Sequence, residues 1–283
     1  MIDLHCHSTV SDGALAPREV VALAAQNGCK LLALTDHDHT GGLNEARQTA
    51  TQYGIHFVNG VEISVTWRSR TIHIVALDFD EHHLELQNLL ARVRQGRIER
   101  IHQMAEKLAH KHGITDAFEG AMARATNPEM VSRTHLAEFL LANGYVRNKQ
   151  QAFTHYLGEG KSAFVKHQWA NLPETLAAIQ AAGGIAVIAH PMRYDLSATA
   201  RRNLFTEFAQ LGGQATEVHS GNCTLNDRLN YTLLANQYGL LASTGSDFHK
   251  PHDYSGSTLG QSPQLPPTSR PVWQHFKQPF DAA

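Results

Sequence analysis

Ile2-Asp3-Leu4-His5-Cys6-His7 opens the first apolar run of the chain, and Gly245-Ser246-Asp247-Phe248-His249 follows the last one. In each stretch two side chains able to hold a cation stand two positions apart: His5 with His7, and Asp247 with His249. On extended backbone that spacing sends both to one face, with Cys6 on the other. Taken alone, a His-x-His at a strand end is more often a pair of polar residues than an ion site. Asp12 shifts the balance, because the turn Ser11-Asp12-Gly13 follows at once and is placed to aim a carboxylate back at the same point.

The same residue types recur between these two ends. In Thr35-Asp36-His37-Asp38-His39, directly after an apolar run, one or two ionisable side chains are expected to face an ion, and the others to serve as caps or solvated loop groups. Glu62 follows Val61 at an expected strand end, where a buried unpaired carboxylate would be costly. A cation is one partner for it; an ion pair with Arg68 or Arg70 is the alternative. His73, inside Thr71-Ile72-His73-Ile74-Val75, would by itself read as a hydrogen-bonded core residue. His190 ends the run Ile185-Ala186-Val187-Ile188-Ala189, and Pro191 stops the strand there. Together, His5, His7, Asp12, His37, Glu62, His73, His190, Asp247 and His249 lie on or just after six separate strands, with no thiolate among them. Such a set points to two or three divalent ions. Mixed nitrogen and oxygen donors suit Mn²⁺, the first expectation, or Zn²⁺ or Fe²⁺, rather than a thiolate zinc.

A chain of 283 residues can bury a large core, as one domain or one domain with an insertion. Its 42% hydrophobic and 18% charged content is globular, and no apolar stretch is long enough to cross a bilayer. Since Leu4 and His5 already belong to the candidate site, no secretory leader is expected. Cys6, Cys29 and Cys223 form neither a disulfide framework nor a Cys-x-x-Cys pattern, so the cytoplasm is the expected compartment. A net charge of -2 speaks against duplex DNA as a partner. It leaves room for a small phosphorylated nucleotide, or a short RNA 5′ end, held by a few local cations.

Apolar runs at 2–4, 31–35, 56–62 and 71–77, with helical patterns at 17–27 and 41–53, read as βα units of a parallel sheet or barrel. From 84 to 111 one long amphipathic helix is expected. The stretch to 164 carries little strand signal, and its segments 132–143 and 149–156 read as helices. Alternation then resumes, with helices at 173–182, 198–211 and 226–238 and strands at 185–189, 215–218 and 241–244. The tail after Pro251, rich in Pro, Ser and Gly, is expected to wrap the surface.

His5-Cys6-His7-Ser8 with Ser11-Asp12-Gly13, Thr35-Asp36-His37, Gly60-Val61-Glu62, His73, His190-Pro191 and Gly245-Ser246-Asp247-Phe248-His249 resemble the ordered motifs of the polymerase and histidinol phosphatase (PHP) superfamily. The resemblance spans nearly the whole chain. It implies an α/β fold, a distorted (β/α)₇ barrel formed by 1–100 and 165–283, with a substrate-capping α-helical insertion at 101–164. It also implies three ions. His5, His7, Glu62 and Asp247 would hold the first. Glu62 would bridge to a second, completed by His73 and His190, and Asp12, His37 and His249 would hold the third.

Within the superfamily, the segment from Asn127 to His135, Gly158-Glu159-Gly160-Lys161, His167-Gln168-Trp169-Ala170 and His190-Pro191-Met192-Arg193-Tyr194 are similar to the 3′,5′-nucleoside bisphosphate phosphatase group. Some relatives of that group act as 5′→3′ exoribonucleases on short RNA. Arg133 with His135, and Arg193 just past His190, offer cations suited to phosphate. An ion pair of Arg133 with Glu129 or Glu138 is the alternative. Lys161 and His219 complete the expected substrate-binding set. Arg92, Arg94, Arg97 and Arg100 spread around a helix with Glu99 among them, and are not read as an RNA track.

The expected reaction is metal-assisted phosphoester hydrolysis. Metal-bound water, acidified from a pKa of about 15.7 toward ~7, supplies hydroxide, so no protein nucleophile is needed. Arg193 assists by neutralising charge on the phosphoryl oxygens. The expected substrate is the 3′-phosphate of nucleoside 3′,5′-bisphosphates, with short 5′-phosphorylated RNA degraded in the 5′-3′ direction. The competing readings are a histidinol-phosphate-type phosphomonoesterase and a non-catalytic metal-binding PHP module of the kind attached to polymerases.

Overall fold

The computed structural model describes residues 1–251 and 258–281. Its contacts divide the chain into two compact units, one of residues 1–90 with 170–283, the other of residues 91–169.

In the first unit, β1 (Ile2–Asp3), β2 (Leu31–Leu34) and β3 (His56–Trp67) run parallel side by side. So do β6 (Ile185–Ile188), β7 (Ala215–Ser220) and β8 (Leu241–Gly245). The strand β4 (Arg70–Leu77) joins the two sets and is antiparallel to both neighbours, while the short β5 (Ala170–Asn171) pairs beside β3. Leu4 N donates to Thr244 O at 3.0 Å and His7 N to Phe248 O at 2.9 Å, so the last strand returns to the first and the barrel nearly closes.

The reversed β4 departs from the expected run of parallel βα units. Only Arg68 and Ser69 link β3 to β4, with φ of 45° and 66°. A two-residue turn with both residues left-handed joins antiparallel strands and is far too short for a crossover. Pairing with β4 also carries β3 on to Trp67, through the β-branched run after Glu62. Glu62 therefore lies mid-strand, opposite Val75, and not at a strand end.

Alternate strand positions separate two cores. Ile2, Leu31, Ala33, Val58, Val75, Leu77, Val187, Ala215 and Leu241 cluster with Val272, Trp273 and Phe276, which places them inside the barrel. Leu32, Leu34, Val61, Ile63, Ile74, Ile188 and Ala242 face the other way. They are covered by α1 (Pro17–Gln26), α2 (Leu43–Tyr53), α7 (Leu172–Ala181), α8 (Ala198–Gln210) and α9 (Leu225–Gln237). The tail thus does more than wrap the surface. Residues 252–257 lie outside the described residues, but Pro271 bridges to Ala242 and the buried Val272, Trp273 and Phe276 close one end of the barrel. An open barrel end lined by aliphatic side chains would otherwise meet water.

Away from that plug the inner positions turn ionisable: Glu62 lies four residues after Val58, His73 two before Val75, and Glu217 two after Ala215. Because β4 runs backwards, His73 precedes its apolar partners while the others follow theirs.

The second unit holds most of α3 (Leu84–His112), with α4 (Ala117–Met122), α5 (Arg133–Ala142), α6 (Lys149–Ala152) and a π turn at Phe153–Leu157. Ile101, Met104, Leu108, Leu136, Leu140 and Leu157 give it a core of its own. No helix among the described residues is long and apolar enough to cross a membrane.

Gly245 sits where β8 meets the His5 segment: a Cβ there would lie 2.8 Å from His5 N and 3.0 Å from His5 Cα. Gly245→Ala is expected to destabilise the protein by about 1–3 kcal/mol, as overpacking does. Denaturant unfolding checks this, and an unchanged midpoint would refute the close packing.

Candidate metal centre

Three sets of side chains bring one donor atom each to within 4.8 Å of one another: His5, His7, Glu62 and Asp247; His7, Asp12, His37 and His249; and His37, Glu62 and His73. His190 joins the last of these through Nε2, 2.9 Å from Glu62 Oε1 and 3.3 Å from His73 Nδ1. All nine residues singled out in the sequence therefore meet in one place, at the barrel end opposite the plug.

Glu62 is the centre of the array. Its Oε2 lies 3.3 Å from His5 Nε2, 3.3 Å from His7 Nε2 and 2.9 Å from His37 Nδ1. Its Oε1 lies 2.9 Å from both His73 Nδ1 and His190 Nε2. The alternative partners are engaged elsewhere, Arg68 with Glu207 and Arg70 with the carbonyl of Asp195. Burial alone would raise the Glu62 carboxyl, but the imidazoles of His37, His73 and His5 outweigh it and hold it well below the usual range. Burial, then the neighbouring His249 and His37, pull His7 down to about 4, so it is a neutral donor at pH 7. Asp12 is the exposed member, its side chain 55% accessible, with His249 Nε2 at 3.3 Å and His37 Nε2 at 3.7 Å.

These donors fit divalent ions. His5 Nε2, His7 Nδ1 and Glu62 Oε2 are buried without a hydrogen bond, a state that costs about 1–3 kcal/mol per group unless something satisfies it. Donors about 2.1 Å from one ion stand ~3.0–3.4 Å apart, close to the spacings around Glu62. Three carboxylates among six imidazoles offset part of the charge of two or three dications, and the absence of thiolate matches a borderline or hard metal.

Four further carboxylates frame the centre. Asp36 and Asp38, expected as caps or solvated loop groups, are instead buried. Asp36 accepts from Ser8 N at 2.8 Å and from the hydroxyls of Ser8 and Ser11 at 2.6 Å each, fixing the turn that carries Asp12. Asp38 accepts from Ser64 N at 2.7 Å. Asp3 accepts from Ser246 N at 2.9 Å and Gly260 N at 2.7 Å, tying β1 to the Asp247 loop. Glu217, not singled out in the sequence, accepts from His5 Nδ1 at 2.5 Å and from His190 N at 2.7 Å. Its signal was present as a carboxylate on the inward parity of a buried strand.

The expected substrate contacts divide. Arg193 Nη1 donates to Asp247 Oδ2, so it is beside the cluster. His219 Nδ1 lies 3.1 Å from Cys223 Sγ, and burial, then Arg228, pull its pKa down to about 4, so it offers no charge to a phosphate at neutral pH. In the second unit, Glu129 pairs with Arg94 and Glu138 with Lys149, while Arg133 lies over the Phe153 ring. His135 accepts from Ser132 N at 3.0 Å as part of the α5 cap, and Lys161 is exposed. On α3, burial, then the neighbouring Arg133 and Arg97, pull Arg100 down to about 10.

Residues 3–170 match the PHP domain model. Over 98% of its length the chain is 48% identical to a Chromobacterium violaceum protein named 3′,5′-nucleoside bisphosphate phosphatase, covering 96% of that protein. It is 43% identical to a Haemophilus influenzae protein named 5′-3′ exoribonuclease, over 97% of this chain and 98% of the relative. A solved structure from Chromobacterium violaceum, described as an amidohydrolase with bound sulfate and no metal, superimposes with a TM-score of 0.85 at 47% identity, over 97% of this chain and 95% of that one. With the motifs in place, the nearly closed barrel around them and likeness along almost its whole length, the chain belongs to the PHP family.

Proposed function

We propose that this chain is a metal-dependent phosphoesterase that removes the 3′-phosphate of nucleoside 3′,5′-bisphosphates and shortens 5′-phosphorylated RNA from its 5′ end. The observation that carries this reading is the buried Glu62 carboxylate with five imidazoles at 2.9–3.3 Å, where Glu62 Oε2, His5 Nε2 and His7 Nδ1 make no hydrogen bond within the protein. The names of the two relatives at 48% and 43% identity supply the substrate classes. Cys6, Cys29 and Cys223 as free thiols suit the cytoplasm.

His5, His7, Glu62 and Asp247 would hold one ion; Glu62, His73 and His190 a second; Asp12, His37 and His249 a third. Mn²⁺ is the first candidate, with Zn²⁺ and Fe²⁺ as the alternatives. The ions would supply Lewis acidity at the phosphoryl oxygens and an activated water at neutral pH. The protein's own part is to orient the donors. Arg193 holds Asp247 and is free to turn its remaining N–H groups toward a phosphoryl oxygen. Within the second unit, Arg133 and the exposed Lys161 are the cations suited to a phosphate group. His135 supports Arg133 through the α5 cap.

Chelation is expected to abolish turnover, with recovery on adding Mn²⁺. Asp247→Asn should lower kcat by more than about a hundredfold while the protein stays folded, since even outer-shell losses cost ten- to hundredfold. Steady-state kinetics with circular dichroism check both, and full activity in either case would refute the metal centre.

Among adenosine 3′,5′-bisphosphate, AMP, histidinol phosphate and a 5′-phosphorylated dinucleotide, the first and last should be preferred in kcat/KM. Arg133→Ala should lower kcat/KM for the bisphosphate about 10–100-fold, the scale of a lost charged hydrogen bond, with metal content unchanged. Preference for histidinol phosphate would overturn the substrate assignment.

A further inference from the structure

We propose that Glu217 is a positioning residue for two ions at once: it fixes the ring of His5 and the backbone of His190, whose imidazoles face Oε2 and Oε1 of Glu62 respectively. The inference rests on the metal-centre reading above and not on the identity of the substrate.

Glu217 is buried on the inner face of β7, beside the donors. Both of its oxygens are committed, Oε1 to His5 Nδ1 at 2.5 Å and Oε2 to His190 N at 2.7 Å. A carboxylate only accepts, so Nδ1 of His5 carries the hydrogen and Nε2 is left as the donor atom for a cation. That Nε2 is the atom 3.3 Å from Glu62 and 3.4 Å from Asp247. A carboxylate behind an imidazole also makes the ring a stronger metal base.

The second contact answers a backbone problem. His190 has φ 29° and ψ 53°, a left-handed conformation that side chains rarely adopt, and it precedes Pro191, whose ring crowds the residue before it. Such strain persists only when surrounding contacts impose it. The charge-assisted bond from His190 N to Glu217 is one such contact, and the resulting bend sets His190 Nε2 2.9 Å from Glu62 Oε1. His5 belongs to the group with Glu62 and Asp247, and His190 to the one with Glu62 and His73. One carboxylate thus governs a donor of each of two adjacent ions.

Glu217→Gln is the informative change because it keeps size and shape. An amide has one accepting oxygen, so it can serve His5 or His190 but not both. Facing His190 with that oxygen, it turns its NH₂ toward His5 and forces the hydrogen of His5 onto Nε2, the atom a cation needs. Titration of metal-free protein with Mn²⁺ and Zn²⁺, with metal content measured after gel filtration, is expected to show affinity lowered about 10–100-fold and fewer ions retained than in the wild type. Unfolding of the metal-free proteins in chelator gives the control. A lowered Tm with unchanged metal affinity and content would overturn the proposal in favour of a structural role. Should the variant fail to fold, ¹⁵N-imidazole NMR of the Zn²⁺-loaded wild type decides, with the His5 signal assigned by its loss in His5→Gln. A proton on Nδ1 is expected, and a proton on Nε2 would overturn it. Wild-type protein that takes up no divalent metal would sink the metal-centre reading and this inference together, whereas normal uptake by both proteins would sink this inference alone.

Discussion

An ionised carboxylate in the middle of a barrel is the constraint to which the rest of this protein answers. Glu62 is buried, and desolvation of that kind is costly unless the charge is paired. The chain meets the cost by surrounding it with imidazoles from four other segments of the barrel. Imidazole is the one side chain that can face a carboxylate either as a cation or as a neutral donor to a shared metal. Replacing these rings by arginine would satisfy Glu62 permanently and leave nothing for an ion. Histidine keeps the site open to metal, and the depression of His7 to about 4 shows burial and its histidine neighbours holding one of the rings neutral.

The barrel makes this gathering possible because each strand contributes its next inward position. One end is apolar and sealed by Val272, Trp273 and Phe276; two to four residues further along the same faces come Glu62, His73 and Glu217. A single reversed strand does not break the scheme. With β4 antiparallel, the early residue His73 lands at the same end as the late residues of its neighbours. Parity decides which face a side chain takes, and strand direction decides at which end of the sequence the functional residue must be sought.

Much of this was legible in the chain itself. His5-x-His7 and Asp247-x-His249 announce their shared faces through spacing alone, and apolar runs that stop at ionisable residues mark strands ending at a site. The reversal of β4 was not legible, because Arg68-Ser69 lacks the glycine or asparagine that usually signals a left-handed two-residue turn. Nor was the burial of Asp36 and Asp38. Their partners are the amide and hydroxyl of Ser8, the hydroxyl of Ser11 and the amide of Ser64, found only once separate segments meet. Among the arginines of α3, helical spacing accounts for Arg97 beside Arg100, but not for the further guanidinium near Arg100, that of Arg133 on α5.

Three residues at the site, Asp38, His190 and Asp247, have positive φ of 50°, 29° and 52° without being glycine. Each such residue costs on the order of 1–3 kcal/mol, so three together are a real fraction of a typical domain's stability. All three are held by hydrogen bonds to the backbone or side chains of other residues at the centre. Asp38 N donates to Glu62 O at 2.8 Å, Asp247 N to His5 O at 2.7 Å, and His190 N to Glu217 at 2.7 Å. Three pairs of segments at the barrel mouth are thus tied together by hydrogen bonds. Such cross-linking gives the fold a share in setting the donors in place, unlike small metal-dependent domains in which binding and folding are one event. Metal affinity here is therefore governed by how rigidly the barrel mouth is tied, and residues that never touch an ion share in setting it.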